Sequence, residues 1–194
     1  MRKIIVSEFL SLDGVMEDPG GAEKTKHGGW SFLFFNEEAG KYKNDELFAA
    51  DALLLGRVTY LGFAEAWPSR TDEWGFADRM NNLPKYVVST TLEKAEWNNS
   101  ELIKQNIPEE ISKLKQGPGQ DILIAGSGKL VHSLMKHDLI DEFRLMVHPV
   151  ILGSGMRLFN DVSDMIKLKL QDSKTFSSGV VVLTYEALRE EVKK

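Results

Sequence analysis

The chain has 194 residues, enough for one domain with a sizeable core, and a formal net charge of −5. It contains no cysteine, which excludes disulfides, thiolate zinc sites and cysteine nucleophiles and suits a reducing, cytoplasmic compartment. The acidic balance speaks against nucleic acid as a partner, since phosphate backbones call for a basic surface. No run approaches the roughly 20 apolar residues that span a bilayer, so no membrane association is expected.

Met1-Arg2-Lys3 precedes a short apolar run that Glu8 and Asp13 interrupt, too short for a signal peptide. It reads as a first strand, residues 4–10, ending at the Asp13-Gly14 turn. Residues 17–29, rich in Gly, Pro and charge, form a loop. Asn36 caps a helix running to Leu47. Residues 52–55 are a buried strand stopped by Gly56, followed by one or two helical turns over 59–66 that end at Pro68. A short helix over 73–82 and a strand over 86–89 come next. Asn106 and Pro108 open a helix through Lys115, which Gly117-Pro118-Gly119 ends.

Residues 121–125 form another apolar strand, and Gly126-Ser127-Gly128 turns the chain into a helix over 129–137. Residues 143–152 read as a long strand, and 168–170 with 180–185 as an antiparallel hairpin around Ser177-Ser178-Gly179. Strands alternating with helices, then adjacent strands, predict an α/β fold: a mostly parallel sheet with an antiparallel edge. A single domain over 1–187 is expected, with a charged tail at 188–194 that frays.

Three strand ends carry residues suited to an anion. Gly126-Ser127-Gly128-Lys129 joins a strand to a helix, where glycines let a backbone approach a ligand and the helix N-terminus offers free N–H groups. A tight turn would look the same. Two better-known motifs fail: a dinucleotide fingerprint needs glycine at Val131, and a nucleoside-triphosphatase loop needs glycine at Leu123 and Ser or Thr at Leu130. Gly56-Arg57-Val58-Thr59 follows a buried strand, with a planar donor fork suited to phosphate, or else a solvated arginine. Ser89-Thr90-Thr91 offers hydroxyls for a phosphate or ribose, or merely satisfies a turn. If the three strands run parallel, their ends share one rim, the usual ligand edge of such sheets.

The stretches KIIVSEFLSLDG (3–14), ALLLGRVTY (52–60), YVVSTT (86–91) and DILIAGSGKLVHSLMKHDLIDEFRLMVHPVILGSGMRLF (121–159) resemble the dihydrofolate reductase-like superfamily. They are closest to the riboflavin-biosynthesis reductase branch, the RibD C-terminal domain type, and HPVILGSG favours that branch over the folate enzymes. The resemblance implies a three-layer fold, bound NADPH and a subunit that can form a homodimer. It assigns Gly56, Arg57, Thr59, Ser89 and Thr90 to the adenosine 2′-phosphate end, and Gly126, Ser127, Gly128, Lys129 and Leu130 to the pyrophosphate. Folate enzymes often have a cis Gly-Gly bond here, from which Ser127 departs, so the resemblance leaves a cis bond open.

An acid assisting proton transfer is expected among Asp13, Glu37, Glu38 and Asp45, though Asp13 also suits a plain turn. Trp30, Phe32, Phe34 and Phe35 either line a ring pocket or pack under the sheet. His132 and His137 do not share a helix face as a metal pair would, and His148 before Pro149 reads as structural. The leading expectation is an NADPH-dependent reductase of a small heterocycle, either a 5-amino-6-(5-phosphoribosylamino)uracil-type pyrimidine or a dihydrofolate-like pterin. The alternatives are a non-catalytic NADP(H)-binding module and a subunit whose role is assembly.

Overall fold

The computed structural model describes residues 1–159 and 165–189; the expected charged tail lies outside them from residue 190 on. In chain order the elements are β1 (Ile4–Ser11), α1 (Glu37–Ala49), β2 (Ala50–Gly56), α2 (Arg57–Ala66), α3 (Phe76–Asn82), β3 (Lys85–Val88), β4 (Ser100–Ile103), α4 (Ile107–Gln116), β5 (Asp121–Ile124), α5 (Gly128–Met135), β6 (Glu142–His148), β7 (Leu168–Thr175) and β8 (Val181–Ala187). One eight-stranded sheet has the order β4-β3-β2-β5-β1-β6-β8-β7. β1 to β6 run parallel, while β8 pairs antiparallel with β6 and β7. The mostly parallel sheet with an antiparallel edge is therefore as expected.

Apolar runs such as Leu53-Leu54-Leu55 are buried throughout because helices cover both faces of a parallel sheet. On one face Ile4, Val6, Ile122 and Ile124 pack with Ile111 of α4 and Leu130, Val131 and Leu134 of α5. On the other, Ile5, Leu53, Leu55 and Val87 pack with Leu47 of α1, Tyr60 of α2 and Met80 of α3. β7 is charged and exposed along its length, as suits an edge strand. No helix among the described residues is long and apolar enough to cross a membrane.

Some boundaries move. Asn36 does cap α1, its side chain accepting from the Ala39 amide, but Asn106 sits at the head of α4 with φ 48° and caps nothing with its side chain. α2 starts two residues earlier than expected, because Gly56 ends β2 in an extended conformation and serves as its N-cap. The strand expected over 143–152 stops at His148, where Pro149 removes an amide. β4 was not expected: it is a four-residue edge strand with only Leu102 and Ile103 apolar.

Candidate active site

The ends of β3, β2 and β5 are neighbours at the carboxyl rim. The β2–α2 and β5–α5 junctions interlock there. A methyl group on Gly56 would collide with the Ser127 hydroxyl and stand 3.1 Å from its amide nitrogen. One on Gly126, whose φ is 101°, would stand 2.5 Å from Thr59 Oγ1. These positions are glycine because two backbones meet there. The Gly126–Ser127 peptide is cis, which settles the point that the Ser127 departure left open.

Neither α2 nor α5 has a side-chain cap at its N-terminus, so two positive helix ends face the rim. Arg57 and Lys129 are exposed, and among the described residues neither makes an ion pair or a side-chain hydrogen bond. The hydroxyls of Thr59, Thr90 and Ser127 likewise have no hydrogen-bond partner there.

Two expected cofactor residues also have local duties. Ser89 is buried, and its Oγ accepts from the amides of Thr91 (3.2 Å) and Leu92 (2.9 Å), so it shapes the turn and retains only its own O–H to donate. Leu130 packs in the core, and its amide donates to the Ser127 carbonyl at 2.9 Å. Gly128 faces thioethers: a methyl there would lie 2.7 Å from Met156 Sδ and 2.8 Å from Met16 Sδ.

Asp13 is held down to about 2 by the Ser11 hydroxyl and by the Leu152 and Gly153 amides, which favour its charged form. It ties the end of β1 to the loop after β6. Glu38 is lowered by the hydroxyl and amide of Ser177 and tethers α1 to the β7–β8 turn. Asp45 is exposed and pairs with Lys41 at 2.5 Å, and Glu37 is exposed in the first turn of α1.

The aromatics divide. Trp30 is buried, donates from Nε1 to the Glu17 carbonyl, and with Phe9 and Phe34 packs edge-on around His148. Phe32 and Phe35 are exposed. His148 sits at the end of β6, its Nδ1 donating to the Met146 carbonyl at 2.8 Å, and burial lowers its pKa.

Sequence reasoning passed over Glu8, noting it only as a break in an apolar run. It is buried in the central strand β1, and its Oε1 has no hydrogen-bond partner among the described residues. Burial pushes its pKa up to about 8, partly countered by Lys43 and the Gly126 amide and reinforced by Glu46. Glu46, close by on α1, is fully engaged with Ser7, Lys43 and Arg144.

The model of the RibD C-terminal domain matches residues 2–182. The chain belongs to this family. It is 35% identical to the uncharacterized protein YyaP of Bacillus subtilis (strain 168) over 187 residues, 95% of this chain and 94% of that one. A solved structure from Shewanella sp. PV-4, ascribed to riboflavin biosynthesis, superposes with a TM-score of 0.73 at 24% identity, over 96% of this chain and 99% of that one. Dihydrofolate reductase from Enterococcus faecalis, complexed with NADP(H), gives 0.60 at 12% identity over 95% and 96% of the two chains. The fold of this RibD-type domain is thus dihydrofolate reductase-like.

Proposed function

We propose that the chain is an NADPH-dependent reductase of a small flat heterocycle, a 5-amino-6-(5-phosphoribosylamino)uracil-type pyrimidine or a dihydrofolate-like pterin. The observation that carries this is the carboxyl rim: cations and hydroxyls without partners among the described residues, and two helix ends without side-chain caps, gathered where the Gly56 and Gly126 junctions pack against each other. Two positive helix ends with a permanently charged guanidinium and an ammonium beside them fit an anionic ligand.

Bound NADPH supplies the hydride. Arg57, aided by Thr90 and the Ser89 hydroxyl, would hold the 2′-phosphate with a planar, permanently charged fork. The first turns of α2 and α5, with Thr59, Ser127 and Lys129, would hold the pyrophosphate. Gly56 and Gly126 let the two junctions that carry these groups pack closely together. Met16 and Met156, which approach Gly128, present flexible thioethers able to settle against a flat ring.

A non-catalytic NADP(H)-binding module is the second reading, supported by the hydrogen bonds that favour the charged forms of Asp13 and Glu38. The test is NADPH binding followed by cofactor oxidation with a panel of ribosylaminopyrimidines and dihydropterins. Oxidation with one of them is expected. Tight NADPH binding with every candidate inert would favour the binding module. Absence of NADPH binding would contradict both.

A further inference from the structure

We infer that Glu8 is the side chain that receives the carboxamide end of the bound dinucleotide, one carboxyl oxygen accepting the amide N–H. This rests on the NADPH reading and extends it to a residue outside the glycine, arginine and hydroxyl motifs. The argument starts from strand order. β3, β2, β5 and β1 are successive neighbours along the rim. The free arginine follows β2 and the glycine cradle follows β5. A dinucleotide laid along that line, adenosine phosphate toward β3 and pyrophosphate over β5, has its third portion over β1. The one polar substituent on the nicotinamide ring is the carboxamide.

Register then selects the residue. Val6 of β1 pairs with Ile124 of β5, so Glu8, two residues on, stands level with Gly126. On its other side Glu8 pairs with Leu145 of β6. Its alternation partners Ile4, Val6 and Leu10 are all core residues, so a carboxylate at this position has no structural reason to be there. Ser7, next to it on the opposite face, meets Glu46 and Lys43 and is satisfied. Glu8 Oε1 is buried and has no donor. Lys43 and the Gly126 amide favour the charged carboxylate, yet Oε1 closes no hydrogen bond among the described residues, so a ligand N–H is the missing partner.

The test uses titrations, not turnover. Three ligands are compared on the parent, Glu8→Leu and Glu8→Gln: NADPH, its 3-acetylpyridine analogue, in which a methyl replaces the amide nitrogen, and 2′,5′-ADP, which lacks the nicotinamide half. The expected result is a loss of about tenfold in NADPH affinity for Glu8→Leu. The analogue and 2′,5′-ADP should be unchanged, and Glu8→Gln, which keeps an acceptor, should recover most of the loss. Unchanged NADPH affinity in Glu8→Leu, or equal losses for NADPH and the analogue, would overturn the assignment of Glu8. A parent that binds none of the three would instead overturn the cofactor reading itself.

Discussion

The two rims of the sheet use the same kinds of charged residue in opposite ways. At the amino-terminal rim the buried cations have partners. Arg2 pairs with Asp51, and Lys115 meets Asp141 at 2.6 Å and the Leu139 carbonyl at 3.1 Å. Lys85, fully buried, donates to the carbonyls of Asn81, Leu83 and Asn98 at 2.8–3.0 Å and lies over the Trp97 ring. A cleft of about 500 Å³ beside it, lined by Trp97, Asn99 and Glu101, is at this structural end. At the carboxyl-terminal rim Arg57 and Lys129 are free among the described residues, and Glu8 has an oxygen without a donor. Charge that is satisfied internally fixes strands to helices, while charge left unsatisfied beside glycines is available to a ligand.

Substitutions should separate the two rims cleanly. Lys85→Met leaves three carbonyls without their donor and should cost about 3 kcal/mol in denaturant unfolding, with NADPH affinity unchanged in the folded protein. A cost below about 1 kcal/mol would mean that the carbonyls find other partners. Gly126→Val adds a branched side chain at φ 101° against Thr59 and should weaken NADPH roughly a hundredfold, about 2.7 kcal/mol. Near-parent unfolding with that loss would confirm a site position; near-parent binding would show that the cradle is not used.

The pH dependence of stability should carry opposite signs at the two rims. Glu8 titrates near 8 in the folded chain and near 4.5 when unfolded. Between these values the folded state holds the extra proton, so its contribution is lost as pH rises, by at most about 1.4 kcal/mol per unit. Lys85, lowered by burial to about 8 from 10.5, has shed its proton in the folded state above pH 8 while the unfolded chain retains one, so stability recovers between 8 and 10.5. Glu8→Leu should flatten the lower window alone, as unfolding at a series of pH values would show.

The strand ends were legible because each couples an apolar run to glycine, arginine or hydroxyls within a few residues: Leu55-Gly56-Arg57, Val88-Ser89, Ala125-Gly126-Ser127. Their meeting on one rim was conditional on parallel pairing, which only the sheet order provides. The surroundings of the acids were not legible, because a helix shows which residues share a face but not what stands opposite: Glu38 meets Ser177, 139 residues away. Glu8 did leave a signal. A carboxylate in register with Ile4, Val6 and Leu10 is out of place on a core face. Whether it is satisfied depends on Gly126 and Leu145, which lie far along the chain.

The central claim is that the carboxyl rim is built for the 2′-phosphate and pyrophosphate of NADPH, and Arg57 tests it most directly. NADPH and NADH are titrated into the parent and Arg57→Ala. Because Arg57 is exposed, its charge-assisted bonds fall at the low end of their range, about 1.4 kcal/mol or a factor of ten. NADPH affinity should drop about tenfold in the variant and NADH should hardly change, so that the preference between them narrows. Equal losses for both cofactors, or a parent that does not distinguish them, would contradict the account.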